Sequence, residues 1–309
     1  MTEEKITIGT KYPLDGLLTI PSNVEAPYPA VVLVHGSGPN DMNEKIGNTY
    51  FFKDMAEGLG AHGIVTIRYN KRTHTHGKEL VKNYGSELTV KEETIEDALF
   101  AADLLRHDSR INPEKIFIAG HSMGGMLAPR IDAEGGNFAG LIILAGSPRK
   151  IEEIIIEQQD NFLKKSNAVI RWITSRPMLK LRKKLNNLYN MTDEEAKRTS
   201  FIGKHNKMYY LLEWGLKPAG NFLKQLTKPI LVMHGTDDVH ASVENDFNKY
   251  KEILARHPNV CFKLYPGLNH LFMPAIYGGD IRKVMKEYKK AQNIEKSVID
   301  DIANWVKQQ

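Results

Sequence analysis

The 309-residue chain is 41% hydrophobic and 26% charged, an ordinary globular composition that excludes a disordered chain and suits one or two domains around a large core. A single cysteine, Cys261, excludes an intramolecular disulfide and a cysteine-based metal site. Forty-two Lys and Arg against 37 Asp and Glu leave a charge of +5, too modest to mark a nucleic-acid binder, and no nucleic-acid partner is expected.

The first residues, Met1–Lys5, are polar and no apolar leader core follows. The longest apolar runs, such as Ala139–Gly146, fall far short of the ~20 residues of a membrane helix. A soluble, cytoplasmic protein with no integral membrane segment is the expectation. Two short strands are predicted first, Lys5–Gly9 and Leu14–Ile20, punctuated by Pro13 and Asp15-Gly16. Pro29-Ala30-Val31-Val32-Leu33-Val34-His35-Gly36 then reads as a strand buried on both faces, as in a parallel sheet. The pattern recurs at Gly63–Tyr69, Lys115–Gly120, Leu141–Gly146, Pro229–Gly235 and Val260–Tyr265. Amphipathic helices are predicted between them. Tyr50–Ala61 carries Phe51, Met55 and Leu59, and Glu92–His107 carries Ile95, Ala98, Leu99, Ala102 and Leu105, with Asn112-Pro113 beyond its end. Ser242–Arg256 and Ile294–Val306 complete the set. The alternation implies an α/β fold, a mostly parallel sheet of about eight strands flanked by helices.

One stretch breaks the alternation. From about Lys150 to Lys217 there is only helix-like sequence, with Ile151, Ile154 and Ile155, then Phe162, Val169, Trp172 and Ile173, at helical spacing. Pro177 is expected to divide two helices, and Thr192-Asp193-Glu194-Glu195 resembles a capped helix start. Such a block reads as an inserted cap over the strand ends. It holds 14 Lys and Arg against 8 Asp and Glu, an excess of six that leaves the rest of the chain at −1. Lys164–Lys184 contains eight basic residues and no acidic one. Two readings stay open: solvated helix faces whose apolar stripe packs on the core, or a surface that steers anionic substrates or touches an anionic surface.

The strongest chemical signal is Gly120-His121-Ser122-Met123-Gly124, followed by Gly125, between the strand Lys115–Ala119 and the helical run Met123–Ile131. A serine in such a turn stands exposed above the sheet, and side chains at the flanking glycines would collide with the neighbouring strand and helix. The alternative is a plain glycine-rich turn with Ser122 capping the helix. A serine hydroxyl needs a base, and the base an orienting acid, in the chain order Ser, Asp or Glu, His. Past the later strand ends come His234-Gly235-Thr236-Asp237-Asp238 and Pro266-Gly267-Leu268-Asn269-His270, where ligands bind in open α/β sheets.

Together with His35-Gly36-Ser37-Gly38-Pro39-Asn40-Asp41, these pieces resemble, in kind and order, the motifs of the α/β-hydrolases, close to bacterial carboxylesterases with serine-aminopeptidase-like domains. The resemblance implies an α/β-hydrolase core over residues 1–149 and 218–309, with a helical cap inserted at 150–217. It implies a serine hydrolase of carboxylic esters, short- to medium-chain in acyl group, with a small-molecule ester as partner and no metal or organic cofactor. Ser122 would be the nucleophile and His270 the general base. The family's glycine-to-acid spacing selects Asp238, with Asp237 as the alternative. Backbone N–H groups of Met123 and Ser37 would form the oxyanion hole. Tyr209, Tyr210 and Trp214 are candidates for an acyl pocket, with core packing as the other reading. His74-Thr75-His76 is expected on a surface loop, since Lys71, Arg72 and Lys78 repel a cation. Tyr69-Asn70-Lys71-Arg72 is expected to border the site in a structural role. The same triad serves an acyl-CoA thioesterase, a serine peptidase or an acyltransferase, and a non-catalytic binding protein of this fold is the alternative from another class. Oligomeric state is left open.

Overall fold

The computed structural model describes residues 1–22, 24–203 and 206–309. Among the described residues twelve strands are formed: β1 Thr2–Ile8, β2 Leu14–Ile20, β3 Tyr28–Val34, β4 Lys45–Ile46, β5 Thr49–Tyr50, β6 Val65–Tyr69, β7 Ile111–His121, β8 Leu141–Leu144, β9 Ser200–Ile202, β10 Asn206–Lys207, β11 Ile230–Gly235 and β12 Val260–Tyr265. Eight of them make one sheet in the order β1-β2-β6-β3-β7-β8-β11-β12. The pairs β1–β2 and β2–β6 are antiparallel, and every other neighbouring pair is parallel. The remaining strands form two small hairpins, β4–β5 and β9–β10.

The double burial expected of the apolar runs is visible in β3. Val32 and Val34 point into one core with Leu105 and Leu127, while Val31 and Leu33 point into the other with Phe51, Val298 and Ile302. Each such side chain contributes about 1.5–3 kcal/mol by leaving water. The second core is covered by α1 (Phe51–Ala61), and the first by α3 (Glu96–His107) and α4 (Met123–Ile131). Between them in chain order, α2 (Arg72–Tyr84) carries His74 in its first turn and His76 at a kink with non-helical dihedrals, so these histidines lie on a kinked helix rather than a loop. The helix expected from Glu92 begins as a wide turn, Lys91–Ile95, and α3 proper starts at Glu96. Asn112-Pro113 falls inside β7, where pairing with β3 shifts register, a place that tolerates a missing N–H.

From β8 the chain enters α5 (Ile151–Lys165), α6 (Ala168–Asn186), α7 (Asp193–Arg198), the β9–β10 hairpin and α8 (Met208–Leu216). This segment has its own interior of Leu185, Leu188, Ala196, Met208, Leu211 and Leu212. Thr192 and Glu195 cap α7 reciprocally. Pro177 does not divide two helices: α6 runs unbroken through it. Pro177 is exposed, so water replaces the N–H that the Ile173 carbonyl loses. The chain returns through α9 (Ala219–Leu223) to β11, then α10 (Asn248–Ile253), β12 and α11 (Val284–Glu287). It ends in α12 (Lys296–Gln308), which packs in the same core as α1.

Candidate active site

Ser122 sits between the last residue of β7 and the first of α4, at φ +52° and ψ −113°. That is a strained conformation for a residue with a side chain, and the surroundings hold it there. The Ser122 N–H donates to the Leu144 carbonyl at 2.8 Å, and its own carbonyl accepts from the Met126 N–H at 3.0 Å. A Cβ on Gly120 would run into the Gly124 carbonyl, and one on Gly124 into the Val34 carbonyl. The glycines are therefore fixed by contact distance. Met123 opens α4, so its N–H has no acceptor within the helix.

The loops after β11 and β12 bring the other two groups together. His270 Nδ1 donates to Asp238 Oδ2 at 2.7 Å. Asp238 Oδ1 accepts the N–H groups of His240 at 2.7 Å and Ala241 at 3.1 Å. Among the described residues Asp237 makes no such bond; its carboxylate accepts from the Thr236 hydroxyl, at 3.5 Å. The hydrogen bond thus distinguishes the two adjacent aspartates. Asn269 steadies the His270 loop: its side-chain oxygen accepts the N–H of Leu271 and Met273, and its amide donates to Glu287 at 2.7 Å. Burial, and the His121 charge beside it, hold the His270 ring well below the ordinary imidazole value. With Nδ1–H committed to Asp238, a neutral ring presents Nε2 as a proton acceptor. Burial pushes Asp238 up, opposed by His240, His234 and the two backbone N–H groups. Among the described residues no hydrogen bond joins the Ser122 hydroxyl to His270, although both line one cavity. Such bonds commonly close only when substrate is in place.

The loop after β3 is clamped from both sides of one residue. The Gly36 N–H donates to Glu44 Oε1 at 2.6 Å, and the Gly36 carbonyl accepts from Lys71 Nζ at 3.0 Å and Asn40 Nδ2 at 3.2 Å. Across a trans peptide the next N–H points opposite to that carbonyl. The Ser37 N–H is thereby turned away from the buried Lys71, and Ser37 lies on the cavity wall. Glu44 also accepts from His121 Nδ1 at 3.1 Å, while His121 Nε2 meets the His270 carbonyl at 3.1 Å. Burial alone would lower the His121 pKa, but Glu44 beside it outweighs that and raises it. Burial acts on Glu44 in the opposite sense, and His121 outweighs it to lower the carboxyl. Each partner thus favours the charged form of the other, and the pair forms a strut between the Gly36 loop and the His270 loop. Lys71 is 1% exposed and paired with Glu93 at 2.7 Å, and Glu93 accepts the Tyr210 hydroxyl at 2.6 Å.

The cavity measures about 770 Å³. Ser37, Ser122, Met123 and His270 line it, with Leu80, Leu88, Ile154, Tyr210 and Trp214 among the apolar walls. Tyr209 is not among the lining residues; it packs, partly buried, against the interior of the 150–217 segment, with the Lys197 ammonium 5.1 Å from its ring centre. On α8 it stands one position from Tyr210, so the two rings leave the helix about 100° apart. His76 Nε2 donates to the Pro13 carbonyl at 2.9 Å, and among the described residues no cluster of His, Cys, Asp or Glu is arranged to hold a metal ion. Sequence reasoning missed Glu44 and Glu93, and it named His121 and Asn40 only as members of motifs, with no role. Lys71 it set beside the site only by its place after a strand.

A family model described as "Serine aminopeptidase, S33" matches residues 25–274. The chain is 35% identical over 305 residues to Esterase EstD of Thermotoga maritima, covering 98% of this chain and 67% of that one. Among solved structures it resembles Est1E from Butyrivibrio proteoclasticus, with a TM-score of 0.58 at 18% identity over 97% of this chain and 99% of that one. It also resembles proline iminopeptidase from Mycobacterium smegmatis, with a TM-score of 0.62 at 13% identity over 99% and 98%. At these identities the two structures speak for the fold alone.

Proposed function

Because the chain belongs to the serine aminopeptidase S33 family of α/β-hydrolases, we propose that it hydrolyses carboxylic esters of short- to medium-chain acyl groups through an acyl-enzyme on Ser122. The reading rests above all on the His270–Asp238 hydrogen bond, which opens on the same cavity as the strained Ser122 turn. His270 Nε2 takes the hydroxyl proton as Ser122 Oγ bonds to the ester carbonyl carbon. The N–H groups of Ser37 and Met123 receive the oxyanion. The carbon–oxygen bond to the alcohol breaks, and the alkoxide leaves with the proton from His270. A water molecule, giving its proton to His270, then attacks the acyl carbon, and Ser122 recovers its hydrogen as the acid departs. Asp238 keeps the ring oriented and balances the imidazolium.

The cavity wall supports an ester over the amide of a free amino acid. Among the described lining residues both carboxylates already face a cationic partner, Glu93 with Lys71 and Glu44 with His121 through one oxygen, its other oxygen being buried without a partner, so neither is an exposed, uncompensated anion for a substrate ammonium. The size and apolar lining of the cavity support an acyl chain longer than acetyl. In this reading residues 150–217 act as a cap on a core of 1–149 and 218–309. Among the described residues no helix is long and apolar enough to cross a membrane, and the single cysteine suits a reducing, cytoplasmic compartment.

Ser122→Ala is expected to lower p-nitrophenyl butyrate turnover by about 10⁴-fold or more and to abolish labelling by a fluorophosphonate. Undiminished turnover in that variant overturns the mechanism. A higher kcat/KM on aminoacyl amides than on esters overturns the substrate class.

A further inference from the structure

The α6 helix presents a surface that the chemistry above does not use. Every residue from 167 to 173 is exposed, and along the whole of α6 only Leu185 is buried. Val169 is 65% exposed, Trp172 79% and Ile173 60%. At 100° per residue these three share one face with Arg176, Leu179, Lys180 and Lys183. The opposite face, with Met178, Leu181 and Leu185, is the partly buried one. The apolar stripe that periodicity alone assigns to the core therefore points to water. A tryptophan and two β-branched residues standing in water, flanked by cations, are disfavoured for a surface that meets only solvent.

The charge on this face selects what it meets. No acidic residue occurs between Lys164 and Lys184. The nearest carboxylate of α5, Asp160, is already paired with Arg182 at 2.6 Å. A second copy would bring Arg176, Lys180 and Lys183 against their own kind, whereas a phospholipid surface with anionic headgroups supplies both the apolar layer and the opposite charge. We propose that the exposed face of α6 docks the protein on an anionic phospholipid surface, with Val169, Trp172 and Ile173 entering the headgroup layer and the Lys and Arg residues lying against the phosphates. The turn into α6 is tied to a neighbouring segment in which Arg282 and Lys283 are both paired with Asp280. Lys165 Nζ donates to the Gly279 carbonyl at 2.7 Å, and the Arg282 guanidinium donates to the Lys165 carbonyl. That segment continues through Lys283 to Met285, which is 61% exposed and lines the cavity. The turn from α5 into α6 is thus tied to a segment that reaches the cavity, and the docking face stands whether or not the ester reading does.

The test is flotation of the full chain with vesicles at low salt, comparing phosphatidylglycerol mixed into phosphatidylcholine with phosphatidylcholine alone. Trp214 and Trp305 are buried, so a blue shift of tryptophan emission reports Trp172. The expected result is binding to the anionic vesicles only, a blue shift, and release as salt rises. The double variant Trp172→Ser, Ile173→Ser is expected to lose about tenfold or more in partitioning while keeping full turnover of a soluble ester, which shows it folded. Equal binding to both vesicle types overturns the proposal, as does undiminished binding by the double variant. So does a dimer in light scattering that the double variant disperses, since the face would then belong to a second copy. If turnover on every ester fails while anionic vesicles still bind, the ester reading falls and the docking face remains.

Discussion

The turn at Ser122 and the α6 helix are opposite solutions to the same question of what a side chain rests against. Around Ser122 the backbone is forced into a left-handed residue, glycines are set by carbonyl contacts, and a chain of bonds from Lys71 through Gly36, Glu44 and His121 reaches the His270 loop. Along the outer face of α6, Val169, Trp172, Ile173 and Leu179 stand exposed. The first region carries strain that its neighbours must hold, as chemistry on a preorganised site requires. The second contributes little to the fold, so its residues are free to answer to something outside it. Changes in the first region should therefore register on kcat, and changes in the second should leave both chemistry and folding alone.

The largest effect expected is at Asp238. Asp238→Asn keeps the shape but offers an amide to Nδ1, so the ring carries its proton on Nε2 and cannot receive one from Ser122. A fall in kcat of about 10⁴-fold is expected with the melting temperature little changed. A loss below tenfold means the preorganised bond is not what the site depends on. Next comes Lys71, which holds the Gly36 carbonyl. Lys71→Met is expected to lower kcat by about 10²-fold with KM nearly unchanged. It also leaves Glu93 buried without its partner, at about 3–5 kcal/mol. Adding Glu93→Gln removes the stranded charge. If stability returns and kcat stays low, Lys71 acts by aiming the Ser37 peptide; if kcat returns too, it acts only by holding the fold.

A smaller effect is written in pH. His270 works as a base only when unprotonated, and burial holds it well below the ordinary imidazole value. Lowering that pKa carries the acid limb of kcat/KM downward, so activity on a neutral ester should persist below pH 6.5 and fall only in more acid solution. A limb centred at or above pH 7 would contradict the burial of the ring. The measurement is a kcat/KM profile on a substrate without its own titrating group.

What the sequence made legible follows the same division. Runs such as Val31–Val34 allow few readings, because a short, mostly β-branched apolar run closed by a glycine fits a strand covered on both faces better than a helix, which needs more length. The glycine-flanked Ser122 and the His270 loop could be placed by order alone. Glu44 could not, because its partner His121 lies 77 residues away and nothing in either neighbourhood links them. Lys71 and Arg72 could be read only as charges that repel a cation and as a structural border of the site; both are buried, matched by Glu93 and Asp97 from beyond α2. Charge in a string does not reveal its counter-charge. Helical periodicity says that Val169, Trp172 and Ile173 share a face, and says nothing of what covers that face.

The smallest effect decides whether the comparison holds. Trp172→Ser should change stability by no more than about 0.5 kcal/mol, because a side chain 79% exposed loses almost no burial when cut back. Trp305→Ala provides the scale: at 8% exposure, packed on Phe117 across the second core, its loss should cost about 3–5 kcal/mol. Thermal melts of the two variants under one buffer make the test. If Trp172→Ser approaches the cost of Trp305→Ala, α6 lies against the body of the protein in solution, its apolar face is spoken for, and the contrast with the Ser122 turn disappears along with the docking face. If the two differ as expected, the tryptophan on α6 is retained for something other than folding, which is the condition any external partner of that helix must meet.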